Sequence, residues 1–153
     1  MGQKKKILVV DDDPNILLAT SHIVESAGYD IIKAANGQKC IRFAKKHLPD
    51  LILLDVVLPD KNGFQVCEKL KSVKALKNTF IILISGKRIS PQQQAKGLKL
   101  GADGYITRPF HKEEFIARIE SILRIQNVEK LLRENEQWLK TTLQSIGDAV
   151  VVT

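Results

Sequence analysis

Three segments of this chain, Ile7–Val10, Leu51–Leu54 and Phe80–Ile84, are apolar at every position. A strand with one wet face alternates polar and apolar residues. Unbroken apolar runs of this length fit strands of a parallel sheet covered by helices on both faces. Helical patterns separate them. Pro14 suits the first turn of a helix, and Ile16, Leu17, Ala19, Thr20, Ile23, Val24 and Ala27 recur at helical spacing until Gly28 stops them. Tyr29–Ala34 reads as a second strand, and Asn36 caps a second helix that ends before Pro49. Gly63–Lys74 reads as a third helix, Ser90-Pro91 opens a fourth that runs to about Leu100, Gly104–Thr107 is a short fifth strand, and a long helical pattern begins near His111. Five βα units in succession predict an α/β doubly wound sandwich. In such sheets ligands bind beyond the carboxyl ends of the strands, where the strand order reverses.

Composition narrows the function classes. Hydrophobic residues make up 44% and charged residues 27%, an ordinary balance for a globular domain. No apolar run approaches the roughly 20 residues that span a bilayer, and the N-terminus leads through a short apolar run into acids, unlike a signal peptide. Cys40 and Cys67 fall in helical stretches outside any ligand-like motif, which points to a reducing cytoplasm. The net charge of +7 is spread over several elements with no interleaved aromatics and no helix-turn-helix or zinc-finger spacing. It reads as solvated surface, and direct nucleic-acid binding is not expected.

The residues at the strand ends carry the chemistry. Asp11, Asp12 and Asp13 follow the first strand, Asp55 ends the third, Ser85 follows the fourth, and Arg108-Pro109 follows the fifth. Two carboxylates about 4 Å apart repel by roughly 4 kcal/mol at an effective dielectric near 20, so the cluster needs a counter-charge. Oxygen donors without a neighbouring His or Cys suit Mg²⁺ or Mn²⁺. A divalent ion beside a carboxylate and a hydroxyl is an arrangement for phosphoryl transfer. No GxxxxGK[ST] loop is present and no GxGxxG follows a strand, so nucleotide binding is poorly supported. What remains is a carboxylate that itself accepts the phosphoryl group.

The segments ILVVDDDP, DLILLDVVLPDKNGFQV, FIILISGK and GADGYITRPF resemble the receiver domain of bacterial response regulators, over about residues 5–124. The resemblance implies a flavodoxin-like strand order, 2-1-3-4-5, and a phosphorylation-dependent switch. It makes Asp55 the phosphoacceptor, served by a histidine kinase, a phosphotransfer protein or a small acyl phosphate. It places Asp12 on Mg²⁺ directly and Asp11 mainly through water, with Asp55 and the backbone carbonyl of Val57 completing the protein's ligands. Ser85 would bond a phosphoryl oxygen, and Tyr105 would be the aromatic that moves when Ser85 does. Asp13 lies one place beyond the matched acids and reads as an N-cap. Arg108 departs from the family's lysine, and its planar fork is no copy of a compact ammonium; Lys87 is a second cation beside the site. The Arg108-Pro109 bond resembles the family's cis peptide. Val57, without a side-chain group to orient water, implies slow self-dephosphorylation.

Residues 1–124 are therefore expected to be the receiver and 125–140 a linking helix. There Ile125, Leu132, Leu139 and Ile146 recur every seven residues, with Val128, Asn135 and Thr142 in the companion position, a weak coiled-coil seam or else the apolar face of a helix folded back on its own domain; the surface of a homodimer stays open between this coil and the fourth-helix face. Residues 141–153 resemble the start of a PAS-like sensor domain, with a turn at Gly147-Asp148 and a strand from Val150, as though the chain were a piece of a longer signalling protein with a C-terminal output module. Two other functions stay open: a scaffold that is never phosphorylated, and a magnesium-dependent phosphatase that uses Asp11 as nucleophile and Asp13 as second acid.

Overall fold

The computed structural model describes residues 4–86 and 90–151, the last three of these as backbone alone. Strands β1 (Lys6–Val10), β2 (Asp30–Ala34), β3 (Leu51–Asp55), β4 (Phe80–Ser85) and β5 (Gly104–Thr107) alternate with helices α1 (Pro14–Ser26), α2 (Gly37–His47), α3 (Gly63–Ser72), α4 (Pro91–Lys99) and α5 (Lys112–Val151). The strands form one parallel sheet in the order β2-β1-β3-β4-β5. This is the doubly wound architecture and strand order that the sequence predicts. The chain divides into two compact units, residues 1–118 and 119–153. None of the described helices is long and apolar enough to cross a membrane.

The apolar runs are central because both of their faces are covered. Leu8, Val10, Ile52, Leu54, Ile81 and Leu83 belong to a buried cluster with Cys40, Ala44, Val66 and Leu70 of α2 and α3. The alternate residues, Ile7, Val9, Leu51, Leu53 and Ile82, are as deeply buried on the opposite side of the sheet. Both cysteines are buried and free, and burial pushes their thiols up to about 12 for Cys40 and about 11 for Cys67.

Helix starts follow the expected caps. The Asp13 carboxylate accepts the amides of Asn15 and Ile16 at 2.9 and 3.4 Å, and Asn36 accepts that of Lys39 at 2.8 Å. Asn62 and Ser90 each form a capping box with the glutamine three residues on. Two boundaries differ from the sequence reading by more than one residue. The third helix ends at Ser72, and Lys74–Leu76 forms a separate 3₁₀ turn. Extended Val73, with ψ of 118°, makes the break and turns the chain toward β4. The turn expected at Gly147-Asp148 does not form either: α5 continues through it to Val151, so the strand from Val150 is absent, while Val152 and Thr153 lie outside the described residues. A strand must find its hydrogen bonds on a neighbour, whereas a helix satisfies them internally.

The β3–α3 connection sets the site most tightly. Gly63 donates its amide to the Val56 carbonyl at 2.7 Å. A Cβ at Gly63 would lie 2.6 Å from the Asp55 carbonyl oxygen and 2.7 Å from the Val56 Cα. Both neighbours are backbone and cannot rotate away. Gly63→Ala is therefore expected to lower the urea midpoint by the equivalent of about 1–3 kcal/mol, whereas Gly147→Ala, with open space around it, should cost nothing.

Candidate phosphoacceptor and metal site

Strand order brings the predicted residues together. The chain leaves β1 for β2 and returns to β3 on the other side of β1, so the order reverses between the carboxyl ends of β1 and β3. Val10 pairs with Leu54, which carries Asp11 and Asp55 to the same level. Asp55 pairs with Ile84, and Ser85 with Thr107, so Ser85 and Arg108 follow at the same edge. The Arg108 amide donates to the Ser85 carbonyl at 2.7 Å, and the Arg108-Pro109 peptide is cis.

Asp11 and Asp55 are buried, at 4% and 7% exposure, and Asp12 is exposed. Each of the three offers a carboxylate oxygen within 4.8 Å of the other two. Arg108 answers part of the repulsion: its guanidinium donates to Asp11 Oδ2 at 2.8 Å and stands 3.4 Å from Asp55 Oδ2. The second Asp55 oxygen accepts the Val57 amide at 3.1 Å, and Asp11 Oδ1 accepts the Asp13 amide at 2.9 Å. The donor set fits a hard divalent ion: carboxylate oxygens alone, two of them buried, with more negative charge than one guanidinium neutralises.

Asp13 takes no part in this cluster. Its carboxylate caps α1, which removes the second acid that a phosphatase reading requires. Tyr105 lies on β5, and its hydroxyl donates to the carbonyls of Gln93 and Gln94 on α4 at 3.0 and 2.8 Å. It borders a cleft of about 450 Å³ with Gln94, Pro109, Phe110, Glu114 and Arg118. Lys87 lies outside the described residues. Asp60 was not singled out by the sequence reading, yet its two oxygens accept the amides of Gly37 and Gln38 at 2.8 and 2.9 Å. This ties the loop after Asp55 to the start of α2. An acid in a polar loop looks like any turn former, so only the fold reveals its partner.

Matches to known proteins give the fold its family. The family model described as the response regulator receiver domain matches residues 7–120. The alkaline phosphatase synthesis transcriptional regulatory protein PhoP of Bacillus subtilis is 42% identical over 120 residues, 78% of this chain and 49% of that protein. The DNA-binding dual master transcriptional regulator RpaA of Synechocystis is 38% identical over 119 residues, again 78% and 49%. The crystal structure of a CheY-like receiver domain protein from Methanospirillum hungatei superposes with a TM-score of 0.78 at 31% identity, over 83% of this chain and 99% of that one. A fold of this order with acids at its switch point defines a two-component signalling domain. The chain belongs to the response regulator receiver family, whose members bind Mg²⁺ through acidic residues and interact with histidine kinases or phosphotransfer proteins. It spans about half the length of the curated relatives it matches.

Two predictions follow the geometry. Burial raises the Asp55 carboxyl above its ordinary 3.8; the Val57 amide opposes the shift, Asp11 adds to it, and Arg108 opposes it. The folded state thus holds the Asp55 proton more tightly than the unfolded state does, and folding loses stability as pH rises through the raised value. In chelator, Asp55→Asn should be more stable than the parent at neutral pH, and the gain should vanish as pH falls to the ordinary 3.8; urea titrations across that range measure it. At α4, Gly97 is buried inside a helix, where glycine costs about 1 kcal/mol relative to alanine. A Cβ there would overlap the Tyr105 hydroxyl and come within 2.8 Å of its Cζ. Gly97→Ala should destabilise by about 1–3 kcal/mol, and Tyr105→Ala in the same chain should recover most of that, a non-additivity visible in a double-mutant cycle.

Proposed function

We propose that the chain is the phosphoacceptor of a cytoplasmic two-component relay. Asp55 takes a phosphoryl group from a histidine kinase or phosphotransfer protein, and α5 passes the change to a C-terminal output module. One observation supports this above the others: Asp11, Asp12 and Asp55 crowd their carboxylates at the sheet's switch point with Arg108 between two of them. A pocket built this way fits a partly neutralised nucleophile awaiting a phosphoryl group.

Asp11, Asp12, Asp55 and the Val57 backbone carbonyl would hold Mg²⁺ or Mn²⁺. When bound, the ion supplies the positive charge that lets phosphoryl oxygens approach three carboxylates. In the transfer a carboxylate oxygen of Asp55 attacks phosphorus, an O–P bond forms, and the bond to the donor breaks with its electron pair on the donor atom. Ser85 donates its hydroxyl to a phosphoryl oxygen, and Arg108, whose fork already spans Asp11 and Asp55, turns to the incoming charge. The product carries about −1.5 to −2 charges and three strong acceptors. Ser85 follows them, Tyr105 moves with the α4 end of the cleft, and the surface of α4, β5 and the start of α5 changes. Couplings of this sort are typically 1–3 kcal/mol. Residues 1–124 are the switch in this reading, 125–140 the transmitting helix, and 141–153 the approach to the output module.

The test is acetyl phosphate with Mg²⁺ followed by mass spectrometry. Label on Asp55, lost in Asp55→Asn and in chelator, is the expected result, and the label should decay slowly because Val57 offers no group to orient water. Arg108→Lys should still label at Asp55 with a changed rate. Label on Asp11 would instead identify a phosphatase, and no incorporation at all would identify a scaffold.

A further inference from the structure

Residues 119–151 are one unbroken stretch of α5, about 50 Å long at 1.5 Å per residue. From Ile125 onward its large apolar side chains are exposed: Ile125, Leu132, Leu139 and Ile146 are 52–57% exposed, Val128 is 59% exposed and Trp138 is 67% exposed. A lone helix in water gains little from propensity and depends on packing of its apolar face. The spacing of that face says what packs there. Ile125, Leu132, Leu139 and Ile146 lie seven apart, and Val128, Asn135 and Thr142 follow the first three of them by three. These are the a and d positions of a heptad, which wind helices into a left-handed coil.

We propose that the occupant is a second copy of this chain, wound parallel and in register. The flanking residues choose the orientation. In a parallel pair each g residue faces the e residue five places on in the other strand. Arg124 then meets the partner's Glu129, an ion pair, and Trp138 meets the partner's Leu143, an apolar pair. Leu131 lies beside the aliphatic stem of the partner's Glu136. An antiparallel pair sets e against e and drives Glu129 toward the partner's Glu136, two like charges. Asn135 fixes the register, because in-register winding gives its amide the partner's Asn135, while a one-heptad slip places it opposite valine or threonine. This inference rests on residues 124–146 alone and does not depend on the phosphoacceptor reading.

Sedimentation equilibrium of the full chain without phosphoryl donor is expected to give twice the 17.1 kDa of one chain. The single tryptophan, buried against the partner's Leu143, should redden in emission on dilution. Leu132→Glu with Leu139→Glu should weaken the dimer at least about 100-fold, since each change puts a charge in the seam; circular dichroism and an unchanged unfolding transition for the sheet domain report that folding survives. Glu129→Arg alone should weaken it several-fold, and Arg124→Glu added to it should restore it. Oxidised Val128→Cys should link to itself, with Cys40 and Cys67 silent because burial pushes their thiols up to about 12 and about 11. A monomer at all concentrations overturns the proposal. So does a mixture of Ile125→Cys and Thr142→Cys that links heterotypically while Val128→Cys does not, because an antiparallel pair sets a positions against d positions.

Discussion

The guanidinium of Arg108 between Asp11 and Asp55 is the contact on which the active edge depends. Parallel strands β1 and β3 must be adjacent for the sheet to exist, and each delivers a carboxylate to the same level. Those two acids are buried, so water screens them poorly. A cation that arrives from β5, two strands beyond β3 in the sheet, links three separate stretches of chain through charge. The bond from the Arg108 amide to the Ser85 carbonyl holds the start of this connection. The residual negative charge is what makes the pocket suited to a divalent ion and to a phosphoryl group.

Around that contact the loops are fastened by backbone. Gly63 sits so close to the Asp55 and Val56 main chain that no side chain fits, and Asp60 reaches across to two amides at the start of α2. The loop that follows Asp55 is therefore closed at its ends by the Gly63 contact and tied from within by the Asp60 hydrogen bonds. On the far side of the sheet edge the fastening is lighter. Tyr105 holds α4 through two carbonyls made reachable by Gly97, and an adjoining cleft is lined by β5 and the first turns of α5. A change of charge at Asp55 meets a stiff loop on one side and a hydroxyl-to-carbonyl latch on the other. The second is the easier to rearrange.

Much of this was legible in residue order. The unbroken apolar runs predicted a sheet covered on both faces, the caps at Asp13, Asn36 and Ser90 fit the helix starts, and the acids at the strand ends marked the edge where chemistry collects. Local signals of this kind survive because they describe which groups must be buried and which amides must be satisfied within a few residues. The missed features are long-range. Asp60 and Gly97 carry no local mark, since one is an acid in a loop and the other a glycine in a helix, and their partners lie 22 or 23 residues and 8 residues away. The turn at Gly147-Asp148 shows the opposite error: a local mark was present, yet the helix ran through it.

By itself, then, the sequence determined the succession of strands and helices, their burial and the identity of the polar residues that end each strand, because hydrophobic period and capping are properties of neighbours in the chain. Only the tertiary structure decided which of those residues meet. It set Arg108 between Asp11 and Asp55, turned Asp13 away into a helix cap and placed the Tyr105 hydroxyl over Gly97. Strand order and register fix these distances, and both are settled by the packing of the whole sheet.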